Sequence, residues 1–248
     1  MTTLLIELAG PQQSWGASSR FATRSTELAP TRSGIIGMLA AALGMERTAP
    51  LDRFRDLRIG VRIDQPGTLE RDFQTTRSFD GSQPFPLSHR YYLADAVFLA
   101  GVEGPRDELV VFRDALAHPY FPLFLGRRAF PPSGPIPTEL VDASVADALR
   151  EAPWRARPHH RRSRTETKIT VSVILDRAEG EPPGETRQDV PESFDPRRRR
   201  YSARDITVRH VTLDHPDPRP RGGSSARKDP SAPSTDHDPF ALLSDEEL

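Results

Sequence analysis

Cysteine is absent from the 248 residues, and lysine nearly so. Without cysteine there is no disulfide, no thiolate metal site and no cysteine nucleophile. No run of about 18 apolar residues occurs, so no membrane span is expected. The opening MTTLLIELAG carries no basic n-region and places Glu7 inside its apolar stretch, unlike a secretory signal. A cytoplasmic protein without membrane contact is the expectation. Hydrophobic residues reach only 36%, against 25 prolines, which leaves part of the chain outside any core.

What is abundant is arginine. Lysine occurs only at Lys168 and Lys228, so 32 of the 34 basic residues are arginine. Its planar fork matches phosphates and base edges better than an ammonium does, although a GC-rich coding bias gives the same excess. The charge is unevenly spread. Residues 1–149 net −2, residues 150–228 net +7, and residues 229–248 hold six acidic side chains and no basic one.

Thr3–Leu8 reads as a buried first strand, stopped by Gly10–Pro11. After a polar loop, Ser33 is the expected N-cap of a helix over SGIIGMLAAALG. Gly44 lies near its C-cap, and Ile35, Ile36, Leu39 and Leu43 form its core face. Leu57–Ile63 alternates like a half-buried strand. Residues 64–90 lose periodicity and form an inserted excursion. Tyr91–Gly101 returns to strand character. Asp107–Ala117 is an amphipathic helix with Leu109, Val110, Phe112 and Leu116 inward, and Leu123–Phe130 is the candidate fourth strand. That order is most of a ferredoxin-like βαββαβ unit, an α+β fold. Past residue 150, Ile169–Leu175 and Ile206–Leu213 read as strands joined by a Pro- and Glu-rich loop. Residues 214–239 are expected to be disordered.

No segment commands catalysis. GPQQSWG (Gly10–Gly16) lacks a Walker lysine and the GxGxxG spacing. His159-His160 reads as part of a solvated basic loop, and the DHPDP and DHDP segments sit in proline-rich surroundings that cannot preorganise a site. His89 beside Arg90 is either a general acid–base for RNA cleavage or a plain surface histidine. The arginines say more. Arg20, Arg24 and Arg32 lead into a helix N-terminus, whose free N–H groups favour phosphate. Arg127-Arg128 follow a glycine where the sheet should end. On an RNA-binding sheet both sets would flank one groove. No metal or cofactor is expected.

Four segments then occur in order: LAGPQQSWG (Leu8–Gly16), APTRSGIIGMLAAALG (Ala29–Gly44), RYYLADAVF (Arg90–Phe98) and HPYFPLFLGRRAFPPSGP (His118–Pro135). Together they resemble the CasD family of subunits of the type I-E CRISPR surveillance complex, Cascade. The resemblance is close over residues 1–175 and looser over 176–213. It implies an RRM-like, repeat-associated-mysterious-protein (RAMP) domain over residues 1–150, with a thumb at 64–90. A β-rich C-terminal extension at 151–213 and a disordered tail at 214–248 would follow. It also implies a non-catalytic subunit of an antiviral ribonucleoprotein that binds and caps the 5′ handle of crRNA. Its neighbours would be the large CasA subunit, the terminal CasC backbone subunit, other Cascade subunits and target DNA, with precursor cutting left to CasE.

Carried onto this sequence, Thr31, Arg32, Ser33 and Gly34 would present a helix N-terminus to handle phosphates, with Arg24 nearby. Arg127 and Arg128 would follow the backbone from the other side. Arg90 would read a base or sugar at the root of the thumb. Gln13 and Trp15 would contact bases, Trp15 equally suiting a core position. Two rival functions stand beside this one. One is an endoribonuclease processing precursor crRNA through His89, Tyr91 or Tyr92; the other is a protein–protein adaptor without RNA contact.

Overall fold

A computed structural model describes residues 1–16, 23–178, 180–181 and 184–218. In chain order the elements are β1 (Thr2–Ala9), β2 (Gln12–Gln13), β3 (Thr23–Arg24), α1 (Arg32–Ala42), β4 (Arg58–Gln65), β5 (Thr68–Gln74), β6 (Ser88–Ala94) and β7 (Val97–Gly104). They continue as α2 (Arg106–Ala117), β8 (Thr138–Val141), α3 (Val145–Glu151), α4 (Pro158–Arg162), β9 (Lys168–Asp176), β10 (Glu185–Ser193) and β11 (Arg200–Asp214). Among the described residues, seven strands form one sheet in the order β10-β11-β9-β4-β7-β1-β8, with every pairing antiparallel. The chain is an α+β protein built on this sheet.

Strand alternation sends successive residues to opposite faces, and here both faces are covered. Leu4, Ile6 and Leu8 of β1 and Phe98, Ala100 and Val102 of β7 pack with Ile35 and Leu39 of α1 and Phe112 of α2. Leu5 and Leu99 turn the other way, against Val145 and Leu149 of α3. β4 is therefore buried on both sides, not half-buried as its alternation suggests. Its Arg62 has no exposed surface. The guanidinium pairs with Asp64 at 2.6 Å and donates to the carbonyls of Leu149, Ala152 and Pro153, the acceptors left open where α3 ends. A buried cation is tolerable because every side of it is met.

Three further expectations need correcting. Leu123–Phe130 is not a strand. Pro122, Pro131 and Pro132 flank it, Gly126 takes φ of 85°, and Leu125 and Phe130 anchor the segment on the core as a loop. The strand that follows α2 is β8. Second, β10 lies inside the supposed loop between β9 and β11; it is a sheet edge, the one kind of strand that tolerates a residue such as Pro191. Third, ordered structure runs past Leu213. Asp214 pairs with Lys168, and His215 is 5% exposed against the Trp154 ring. Residues 219–248, the rest of the expected tail, lie outside the described residues.

Residues 64–90 include a two-stranded ribbon. β5 and β6 pair antiparallel from Thr68↔Ala94 to Gln74↔Ser88. Most of β5 is exposed, which is why its sequence shows no alternation. The inner strand, β6, also holds β2 antiparallel and β3 parallel, so the ribbon is tied at its root to two segments of the N-terminal loop.

Candidate nucleic-acid interface

The root of the ribbon gathers cations. The β3–β6 pairing sets Arg24 directly beside Arg90. Arg127 arrives from the loop after α2 and donates through Nη2 to the Arg24 carbonyl at 2.8 Å and to that of Ser25 at 3.2 Å. Gly126 makes this approach possible, because a Cβ there would stand 1.8 Å from the Ser14 carbonyl oxygen. Arg128 follows, exposed. All four arginines line a depression of about 490 Å³ with Tyr92 and Asp72. Asp72 sits opposite Arg90 in register, but its carboxylate accepts from the Phe73 N–H and from Gln74. Among the described residues, none of the four arginines forms an ion pair.

Like charges placed side by side across strands cost stability, and among the described residues no ion pair offsets them. Burial, then the charges of Arg90 and Arg24, hold the Arg127 guanidinium below the ordinary arginine pKa. Arginine does not deprotonate in a folded protein, so the positive charge persists. Arg90 Nε and Arg127 Nη1 are buried with no acceptor among the described residues. A bound anion with several oxygens would satisfy both.

A second, larger groove of about 1180 Å³ opens from Arg24, Arg127 and Arg128. Gly34, Gly37, Met38 and Ala41 of α1 line it, as does the loop carrying Arg127 and Arg128. Five arginines (Arg24, Arg47, Arg127, Arg128 and Arg199) face a single carboxylate there, Glu46.

The N-terminus of α1 serves a different end. Thr31, not Ser33, is its N-cap, with Oγ1 accepting from the Gly34 N–H at 3.2 Å and hydrogen-bonded to the Ser33 hydroxyl. The Arg32 N–H is taken by Asp189 Oδ2 of β10 at 2.8 Å, so a carboxylate of the protein already occupies this end of the dipole. The Arg32 side chain is buried. It pairs with Asp176 at 2.9 Å and donates to the carbonyls of Phe54, Arg55 and Leu57. Arg204 completes the network, bonding Asp176 and holding Asp189 at 2.6 Å. Burial opposes the Asp189 charge, but Arg204 and the Arg32 N–H outweigh it and keep this carboxyl below its usual range. Arg32 is thus structural and not a phosphate ligand.

Gln13 and Trp15 are also interior. Gln13 donates to the Leu8 and Ala96 carbonyls and accepts from Trp15 Nε1, leaving no side-chain group for a base. Trp15 is 1% exposed, and its ring fills the space where a side chain at Gly34 would stand. Arg20 lies outside the described residues. The acid–base candidates divide by strand alternation: Tyr92 shares the Arg90 depression, whereas His89 and Tyr91 do not line it. Among the described residues no three His, Asp or Glu side chains converge to hold a metal, and no helix is long and apolar enough to cross a membrane.

The family model described as CRISPR-associated protein (Cas_Cas5) matches residues 3–207. The chain belongs to the Cas5 family. It is 32% identical over 153 residues to the CRISPR system Cascade subunit CasD of Escherichia coli (strain K12), a match covering 54% of this chain and 68% of that one. A chain of a solved CRISPR RNA-guided surveillance complex superposes with a TM-score of 0.70 at 37% identity, covering 86% of this chain and 91% of its own. A Cas protein crystal structure gives 0.64 at 37% identity, covering 86% and 95%.

In this Cas5 chain, Arg24, Arg90, Arg127 and Arg128 come together at one place, and Thr31, Ser33 and Gly34 line the adjoining groove. Sequence reasoning missed Arg47, Arg199 and Tyr201, which line the same groove. The RRRR run at 197–200 was the available signal, but nothing in the sequence brings it beside α1.

Proposed function

We propose that this Cas5 protein is a subunit of a CRISPR RNA-guided surveillance complex and that it grips the 5′ handle of crRNA at the Arg24–Arg90–Arg127–Arg128 cluster. The observation that carries the reading is the convergence of these four arginines without an acidic partner, two of them with buried nitrogens facing no acceptor. Phosphate oxygens are the ligand that four forked, uncompensated donors suit. Membership in such a complex rests on the likeness to a Cascade subunit and to a chain of a surveillance complex.

The order β8-β1-β7-β4, with α1 after β1 and α2 after β7, is that of a ferredoxin-like βαββαβ unit, and we read residues 1–150 as an RRM-like domain of that kind. Residues 151–213 are then an extension built on the free edge of β4. α3 covers the sheet face that such domains commonly offer to RNA, so recognition moves to the ribbon root and the α1 side. The ribbon is the thumb. Its exposed Phe73, Phe79 and Phe85 suit contact with crRNA and a neighbouring CasC subunit, and CasA would adjoin the handle end. The subunit binds RNA without cutting it.

The test is a salt titration with crRNA carrying its repeat-derived handle. Replacing Arg90, Arg127 and Arg128 together with Ala should weaken binding and reduce the slope of log affinity against log salt by about 2, at about 0.7 per lost phosphate contact. An unchanged slope in a folded variant rejects the site. Cleaved RNA after incubation with precursor would move the assignment to an endoribonuclease.

A further inference from the structure

The β10–β11 turn carries Arg197, Arg198, Arg199 and Arg200 in succession, all exposed. Among the described residues, Arg200 alone of the four has an ion-pair partner, Glu192 at 3.8 Å. Asp195 shapes the turn through its backbone and side-chain acceptors, which take the N–H groups of Arg198 and Arg197 and leave the guanidinium groups free. A charge run of this kind is ordinarily a solvated loop. Here it has an address. Arg199 lines the large groove, together with Tyr201 and with Phe194, whose ring lies over Gly37 of α1. The groove is continuous with the ribbon-root cluster, since Arg24, Arg127 and Arg128 line both depressions.

We infer that the β10–β11 turn is a second single-strand RNA contact, in which Arg197–Arg199 hold the backbone after it leaves the ribbon-root cluster and Tyr201 stacks on a base. The inference rests on the RNA-binding reading above and extends it to a chain segment outside the RRM-like domain. Three features support this ligand class. The groove lining is strongly cationic, it has aromatic rings at the same end as the arginine run, and it forms one path with a cluster already short of acceptors. Arginine with interleaved aromatics is how single strands are held without base-specific pairing, the ring taking the base face and the guanidinium the phosphate. An acidic protein surface would use the arginines but has no need of the ring.

The full chain, bound to crRNA substituted with 4-thiouridine, provides the test. Photocrosslinking followed by peptide mapping should place a cross-link on the peptide containing Tyr201. Arg197→Ser, Arg198→Ser and Arg199→Ser together should weaken binding about tenfold near 0.1 M salt and lower the salt slope by about 2. The corresponding Lys triple should keep the slope, because it keeps the charges. All three positions are exposed, so an unchanged melting temperature verifies the fold of both variants. Cross-links confined to the segments around Arg90 and Arg127, with an unaltered slope in the Ser triple, overturn this inference and leave the ribbon-root site standing. Normal RNA binding by the Arg90, Arg127 and Arg128 variant rejects the ribbon-root site instead. Intact RNA binding with loss of a protein partner in the Ser triple assigns the turn to protein contact and also overturns the inference.

Discussion

Arginine does two opposite jobs in this molecule, and burial alone does not separate them. Arg32 and Arg62 are buried with their terminal guanidinium nitrogens bonded to carboxylates and carbonyls, whereas Arg90 and Arg127 are partly buried and form no ion pair among the described residues. Arg32 is held below the ordinary arginine pKa chiefly by burial, whereas Arg204, similarly enclosed, is raised because two carboxylates bond it directly. These residues should fail differently. Arg32→Ala takes one of two arginines from Asp176 and leaves the Phe54, Arg55 and Leu57 carbonyls without their donor, and should cost on the order of 3 kcal/mol of stability, seen as a fall in the denaturant midpoint. The remaining folded protein should keep the wild-type salt slope for RNA. Asp189→Asn should act in the same direction, since it removes the charge between Arg32 and Arg204. A loss of salt slope in folded Arg32→Ala would return this residue to the RNA site.

Among the elements, the β5–β6 ribbon makes its own small structure at the tip. Asp80 accepts from the Ser78 hydroxyl and from the Ser82 N–H and hydroxyl, and these bonds lower its pKa to about 2. A carboxyl depressed on folding contributes order above its unfolded value of 3.8 and loses it as pH falls towards 2. The ratio of observed to intrinsic amide exchange at Gly81 and Ser82 should therefore be flat from pH 7 to about 4 and rise between about 4 and 2. Ser78→Ala should move that rise to higher pH. At the other end of the chain, cutting after Leu213 removes the Asp214–Lys168 pairing and uncovers Trp154, whereas cutting after Pro218 keeps both. The shorter protein should melt several degrees below the longer one; equal midpoints would show that His215 contributes nothing. The elements with a continuous apolar run, such as β1, or with apolar residues at helix or strand spacing, α1, α2, β9 and β11, were legible in the sequence. β5 was not, because both of its faces are largely open, and β10 was not, because an edge strand can carry Pro191 and charge. The site was half legible. Arg24, Arg90, Arg127 and Arg128 could be named, but Arg32, Gln13 and Trp15 look no different in sequence until their long-range partners are known.

At the scale of the whole molecule, the sheet runs unbroken from β8 to β10 among the described residues, and β10 and β11 supply both a carboxylate for the first N–H of α1 and part of the groove. Asp189, which takes the Arg32 N–H, lies 157 residues further along the chain. At ordinary rates of synthesis that separation is roughly 10–30 s of ribosome time. Until then the nascent protein has a helix capped by Thr31 alone, an arginine without its full set of carboxylates and a groove lacking Phe194, Arg199 and Tyr201. The far end of the groove is therefore among the last features the chain acquires, whereas Arg24, Arg90, Arg127 and Arg128 are all in place in the sequence by residue 128. A product that stops early carries the ribbon-root arginines without Phe194, Arg199 and Tyr201 beside them.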